Sequence, residues 1–193
     1  MQPAAAEKIA LSPTCSLYHY APVAEFQHID FEALWALHPT DFHTIKIMGK
    51  DVLTPRWQQS YGKNYRYTGS QNNALPIPDI LQPFLAWSQQ HIDSRLNGLL
   101  LNWYDGEKGH YIGAHRDDER DLQSDSPILT ISMGEERIFR LRPYGGEGYR
   151  DFTFSHAEAI VLPADTNRHF THEVPHFKRY TQRRISITLR AYS

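Results

Sequence analysis

A single cysteine, Cys15, denies this chain an internal disulfide and the thiol clusters that hold structural zinc. A chain of 193 residues can bury a core without either device. Long apolar runs are also missing. None approaches the roughly 20 residues that a membrane-spanning helix requires. The opening stretch "MQPAAAEKIALSPT" has no cationic start followed by an apolar core, so no leader is expected. Together with the lone thiol, this predicts a reducing compartment: the cytoplasm, or the nucleus if the source is eukaryotic. There is no internal repeat and no low-complexity linker. An excess of one charge is absent too. The formal net charge of −2 lacks the basic surplus usual in nucleic-acid binders. The cations are instead concentrated in "FKRYTQRRISITLR" (177–190), and the acids in 105–125.

What is present is a series of short strands. Asp30 before "FEALWAL" reads as the N-cap of a short helix that Pro39 ends. Residues 43–68 are strand-rich, with a turn expected at Gly49. The best helix is "IPDILQPFLAWSQQHIDSRL" (77–96), with Asp79 as its cap and Pro83 in its first turn. Beyond residue 97, "LLLNWY", "PILTISM", "RIFRLR", "DFTF", "AIVLP" and "RISITLR" alternate with turn residues. This pattern predicts an α+β protein with a double-stranded β-helix, or jelly-roll, core and helices packed on one side. The expected divisions are 1–40 (an extension and short helix), 41–76 (a strand-rich lid) and 77–193 (the core with its supporting helix).

His115 and Asp117 lie two apart beside the strand "SPILTIS", so in extended backbone both project from one face. An imidazole and a carboxylate joined by a later histidine form the facial triad that leaves positions open on iron. Spacing alone is a weak signal, because His28/Asp30 and His91/Asp93 match it as well. Context separates them: Asp30 is a helix cap and His91 lies on the exposed side of a helix. The third ligand must come from another strand. His156, His169, His172 and His176 are candidates, and the residues alone favour His169 and His172 equally.

In "RRISITLR", Ile185, Ile187 and Leu189 share one face, and Arg184, Ser186, Thr188 and Arg190 share the other. An inward-facing pair of arginines implies an anionic ligand with two acidic ends, because guanidinium forks bind carboxylates bidentately. The plainer alternative is an edge strand with solvated arginines.

Taken in order, "NWY" (102–104), "HRDDER" (115–120), "SPILTISMG", "THEVP" and "RRISITLR" resemble the AlkB-type family of iron(II)- and 2-oxoglutarate-dependent dioxygenases. The match covers about residues 45–191, and its nearest form resembles the animal homologues that repair duplex DNA. The resemblance implies that His172, twelve residues before Arg184, completes the metal triad with His115 and Asp117. It implies that Asn102 and Tyr104 contact 2-oxoglutarate, that Arg184 pairs with its distal carboxylate, and that Arg190 helps hold the end near iron. Ser186 stands where many relatives carry an asparagine that also touches the cosubstrate. The implied reaction uses dioxygen, converts 2-oxoglutarate to succinate and carbon dioxide, and hydroxylates an N-alkyl carbon that then leaves as an aldehyde.

The resemblance also implies the substrate side. Residues 41–76 become a nucleotide-recognition lid, in which Tyr65 and Tyr67 stack a flipped base opposite His115. Asp118 and, more strongly, Glu119 meet exocyclic amines or an alkylated ring. "IMGKDVLTPR" corresponds to a hairpin that pushes an apolar wedge into the base stack, with Met48 as the wedge and Arg56 touching near the gap. Lys46, Lys50, Lys63 and Arg66 stand ready for phosphates. The expected partner is alkylated DNA or RNA, and the chain is expected to act as a monomer. Two other readings stand beside this one: an oxygenase of the same chemistry acting on a protein side chain or small molecule, favoured by the acidity, and a cupin-like binding module. The second leaves Asn102, Tyr104 and the paired arginines without a common ligand.

Overall fold

A computed structural model of the chain describes residues 6–67 and 70–193, apart from the side chains at positions 47 and 67. In chain order the elements are β1 (Glu7–Ala10), β2 (Ser16–Tyr20), α1 (Ala24–Gln27), α2 (Phe31–Trp35), β3 (Thr44–Ile47), β4 (Lys50–Leu53), β5 (Trp57–Tyr61), β6 (Tyr65–Tyr67) and β7 (Ser70–Asn72). There follow α3 (Gln82–His91), β8 (Gly98–Asp105), β9 (Ile112–His115), β10 (Ile128–Gly134), β11 (Arg137–Pro143) and β12 (Arg150–Phe154). The last are β13 (Ala159–Leu162), α4 (Ala164–His169), β14 (Phe170–Val174) and β15 (Arg183–Arg190). A seven-stranded sheet runs β1-β2-β13-β10-β15-β8-β5, and a four-stranded sheet runs β12-β11-β14-β9. The pairings within both are antiparallel, as expected for the jelly roll.

Strand alternation sorts the core into two layers. From β8, β10 and β15, the side chains Leu99, Leu101, Trp103, Leu129, Ile131, Met133, Ile185, Ile187 and Leu189 pack toward the helices with Phe26, Leu34, Phe84 and Trp87. The opposite face, with Tyr104, Ile128, Ile160 and Leu162, meets Phe139, Leu141, Phe170 and Val174 of the smaller sheet. Helices therefore cover one side of the large sheet, and the small sheet covers the other. Burying a large aliphatic side chain contributes roughly 1.5–3 kcal/mol, so the helix-facing layer anchors the sheet whose other face carries the polar groups.

Several local expectations need correction. Asp30 does cap α2, accepting from the N–H groups of Glu32 at 2.9 Å and Ala33 at 3.2 Å, but the helix ends at Trp35, ahead of Pro39. Asp79 lies in a short 3-10 turn, Asp79–Leu81, and caps nothing with its side chain. Regular α-helix starts only at Gln82, where Pro83 fits the first turn because it has no N–H to satisfy. The divisions at 40/41 and 76/77 do not separate sheets. β1 and β2 form one end of the large sheet and β5 the other, so among the described residues before 77 the strands that stand apart from it are those of the hairpins β3–β4 and β6–β7.

The β3–β4 hairpin has a two-residue turn at Met48 (φ 49°) and Gly49 (φ 77°), with Ile47 paired to Lys50. Two successive positive φ values match the twist of the flanking strands, and glycine meets that requirement freely. Methionine does not. A side chain 98% exposed therefore sits in a left-handed conformation that opposes its own preference by about 1–2 kcal/mol.

Candidate metal centre and its arginine-lined cavity

β9 and β14 pair with His115 directly across from His172, and the register slips between His172 and Val174. That bulge beside the two imidazoles re-aims side chains without a change of strand, as bulges near functional sites do. The ring centroids of His115 and His172 are 4.3 Å apart. Asp117 follows β9, and its Oδ1 lies 3.7 Å from His115 Nε2 and 3.8 Å from His172 Nε2. His169, the rival candidate, bonds the carbonyl of Asp165 instead. Among the described residues, His115, Asp117 and His172 are the group of ligand-type side chains whose donor atoms all lie within 4.8 Å of one another.

His115 and Asp117 are prepared by their neighbours. The Gly113 carbonyl lies 2.9 Å from His115 Nδ1. A carbonyl can only accept, so Nδ1 carries the proton and the Nε2 lone pair faces Asp117. Arg190 grips Asp117 Oδ2 through Nη2 at 2.6 Å and Nε at 2.9 Å, whereas the buried Oδ1 has no hydrogen-bond partner. An orphaned carboxylate oxygen is expensive unless a cation meets it. Two imidazole nitrogens and one such oxygen fit a first-row divalent ion and suit iron(II).

Protonation agrees with this fit. Burial, then the adjacent His172, pull the His115 imidazole down to about 3, and Asp117 only partly opposes them. Burial likewise lowers His172 against the pull of Asp117. Burial pushes the Asp117 carboxyl up, but Arg190 foremost and then the two imidazoles outweigh it and hold the group at about 2. Two neutral imidazoles and an ionised carboxylate are the forms that bind metal. A histidine that stays neutral when folded, yet protonates near pH 6.5 when unfolded, makes the unfolded state the stronger proton binder below that pH. Stability of the metal-free protein should therefore fall as pH drops from about 6.5 toward 3, by up to about 1.4 kcal/mol per pH unit from His115, with His172 acting in the same direction. Denaturant unfolding at pH 7 and pH 5 in the presence of chelator checks this. A His115→Asn/His172→Asn variant should show the flatter profile.

Behind the triad, β8, β10 and β15 supply the cavity wall. Ser186 faces Asn102, Arg184 faces Tyr104, and Thr188 faces Thr130 across paired strands. The cavity touches all of these residues, together with Tyr65, Phe139 and Arg190. The Arg184 guanidinium lies 5.3 Å from the Tyr104 ring centre and donates to Ser132 Oγ at 2.9 Å. Burial lowers Arg184 to about 10, against the opposing pull of Tyr104. Arg184 Nη1 and Arg190 Nη1 are both buried without a hydrogen-bond partner. Two unanswered guanidinium donors in one cavity are a receptor for an anion.

Arg56 is the clearest departure from expectation. It is 4% exposed and lines this cavity, donating Nε to Asn102 Oδ1 at 2.7 Å and Nη2 to Gln58 Oε1 at 3.1 Å. Buried in this way it does not reach out beside the hairpin tip. Its position was legible, since "RWQQSY" read as a strand puts Arg56, Gln58 and Ser60 on one face. The cavity lining thus carries three arginines against one acid, Asp117.

Tyr65 is buried on the cavity wall, with the Arg190 guanidinium 4.8 Å from its ring centre. The side chain of Tyr67 lies outside the described residues. Asp118 and Glu119 line a neighbouring hollow that adjoins the triad at Asp117. Arg120 holds Asp118 through both of its carboxylate oxygens. Glu119 accepts from Asn167 Nδ2 at 2.8 Å and Arg168 Nε at 2.9 Å. Asn167 had no signal in the sequence, where "ADTNRH" reads only as a turn.

The fold and this site define a jelly roll carrying a two-histidine, one-carboxylate centre beside an anion-binding cavity. The family model of the 2OG-Fe(II) oxygenase superfamily matches residues 33–190. Over 159 residues the chain is 31% identical to DNA oxidative demethylase ALKBH2 of Homo sapiens, covering 76% of this chain and 60% of that one. Its identity to the Mus musculus ALKBH2 is 29% over 157 residues, covering 76% and 65%. With alpha-ketoglutarate-dependent dioxygenase alkB homolog 3 of Rattus norvegicus it is 28% over 148 residues, covering 70% and 50%. The chain therefore spans between half and about two thirds of these relatives. The solved structure of OsALKBH1 shares the fold, with a TM-score of 0.60 at 13% identity over 96% of this chain and 100% of that one. This chain belongs to the 2OG-Fe(II) oxygenase superfamily, and its sequence relatives are AlkB-type members of it. No helix among the described residues is long and apolar enough to cross a membrane.

Proposed function

We propose that the chain catalyses iron(II)- and 2-oxoglutarate-dependent oxidative removal of alkyl groups from the ring nitrogens of nucleobases, of the 1-methyladenine and 3-methylcytosine type, in DNA. The observation that carries this reading is the orphaned Asp117 Oδ1 facing two imidazole nitrogens, with unanswered donors on Arg184 and Arg190 in the same cavity. When bound there, iron with 2-oxoglutarate and dioxygen supplies the oxidising power for hydroxylating an N-alkyl carbon.

The protein's own groups do the positioning. His115, Asp117 and His172 hold the ion. Arg184, braced by Ser132 and stacked toward Tyr104, binds the distal carboxylate of the cosubstrate. Arg190 spends two of its donors on Asp117, so it serves the end near iron chiefly by fixing that carboxylate and only through Nη1 directly. Asn102 and Ser186, adjacent across β8 and β15, complete the polar floor. Arg56 adds positive potential over the metal-proximal side. Tyr65 gives the base a flat surface, and Tyr67 is assigned to the same task from the sequence. Glu119, with Asp118 beside it, offers acceptors to exocyclic amines.

Incubating the iron-loaded protein with methylated oligonucleotide and 2-oxoglutarate tests the reading. Restored bases and matching succinate are expected. Succinate formed with another substrate, and none with single- or double-stranded DNA or RNA, would transfer the function to an oxygenase of proteins or small molecules, the reading that the net charge of −2 favours. Met48, exposed and held at positive φ, suits a wedge that enters a base stack. Met48→Ala should lower activity on duplex substrate several-fold more than on single strands. Equal losses on the two would remove the wedge assignment.

A further inference from the structure

The 115–119 turn, which carries two of the three ligand residues, is not held by strand pairing beyond His115, where β9 ends. At Asp117 an amide side chain bonds its backbone instead. Asn167, 2% exposed on α4, accepts the Asp117 N–H at Oδ1 (3.0 Å) and donates Nδ2 to the Asp117 carbonyl (3.1 Å). That is the two-bond exchange one strand residue makes with its partner, performed by a side chain. The same Nδ2 also donates to Glu119 Oε1 at 2.8 Å. Arg168, next in sequence, takes the other oxygen of Glu119, and its carbonyl accepts from Arg116 at 3.0 Å. His172 follows five residues after Asn167, in the strand that α4 feeds directly.

We infer that Asn167 is a positioning residue that sets the backbone register of the metal-ligand turn and the aim of Glu119 together. Because it is contiguous with His172, one short segment delivers the third ligand and fixes the other two relative to it. No smaller side chain can do this: two backbone bonds of opposite polarity need a donor and an acceptor on one planar group, which asparagine has and alanine, serine and aspartate lack. The part concerning Glu119 rests on the proposed nucleobase activity, whereas the part concerning the ligands does not.

The test separates the two. Cobalt(II) affinity of the purified protein should weaken about 10- to 100-fold in Asn167→Ala, in line with residues that orient ligands without touching metal. Arg168→Ala, whose guanidinium bonds Glu119, Asp125 and Asp165 but none of His115, Asp117 and His172, should leave cobalt affinity unchanged and raise KM for methylated oligonucleotide. Asn167→Asp keeps the bond to the Asp117 N–H but sets a carboxylate against Glu119. Adding Glu119→Gln should restore part of the lost cobalt affinity by returning a donor to that contact. Thermal unfolding of the metal-free variants supplies the control. If Asn167→Ala lowers Tm but binds cobalt as tightly as the parent protein, the residue is merely structural and the inference fails. If cobalt affinity falls and no oligonucleotide is demethylated by the parent protein, the metal half stands and the nucleobase reading is what fails.

Discussion

Replacing Asp117 with alanine is expected to abolish 2-oxoglutarate turnover and, separately, to destabilise the metal-free protein by about 3–5 kcal/mol. The two effects have different origins. Turnover is lost because the only anionic member of the triad is gone. Stability is lost because Arg190, whose ordinary pKa is raised by Asp117 despite its burial, would keep its charge with no counter-ion in a buried position. Burial of that guanidinium is tolerable only while the carboxylate answers it. His172→Gln supplies the contrast: it should also abolish turnover, but lower stability by only about 1 kcal/mol. Succinate formation measures the first effect, and urea unfolding in chelator measures the second. Equal stability losses in the two variants would show that the Arg190–Asp117 pair does not have the weight assigned to it.

Arg184→Gln is expected to raise KM for 2-oxoglutarate by about 100- to 1,000-fold with little change in metal affinity. A desolvated guanidinium–carboxylate pair whose cation is truncated loses roughly 3–4 kcal/mol, and each 1.4 kcal/mol is tenfold. The glutamine amide keeps a donor for Ser132 Oγ and most of the volume against Tyr104, so the wall should hold its shape. Metal affinity should hold because Arg184 makes no bond to His115, Asp117 or His172. A rise in KM below tenfold would mean that the distal carboxylate is bound elsewhere, with Arg56 as the first alternative.

Much of this arrangement was legible in the sequence wherever a period of two governed the residues. The alternation in "RRISITLR" assigned Ile185, Ile187 and Leu189 to one face and Arg184, Ser186, Thr188 and Arg190 to the other, and both faces are buried, one in the core and one on the cavity. The cap at Asp30 was legible for the same local reason, a short acceptor placed before a helical run. Where competing local features met, the reading failed. Asp79 resembles a cap, but Pro78 and Pro83 bracket a tight turn that postpones the α-helix to Gln82. β1 and β2 are short, β1 is largely unburied, and the pair gains its place through the pairing of β2 with β13 far along the chain. The resemblance set Arg56 near the gap, whereas its neighbours Asn102 and Gln58, one of them 46 residues distant, make its burial on the cavity acceptable. Choosing between His169 and His172 needed the resemblance, since both stand in one turn-rich stretch and only the strand pairing sets His172 opposite His115.

The grip of Arg190 on one oxygen of Asp117 has a consequence for denticity. A carboxylate with both oxygens free can chelate, and hard ions such as calcium exploit that freedom by collecting six to eight oxygen donors. With Oδ2 committed to two guanidinium bonds, Asp117 has one atom to give, and the contribution of the described residues stays at three donors, two of them nitrogen. Such a donor set discriminates against calcium and magnesium and leaves room for exchangeable small molecules around a transition ion. Ion selectivity and vacant coordination space are thus partly written into an arginine that need never contact the ion.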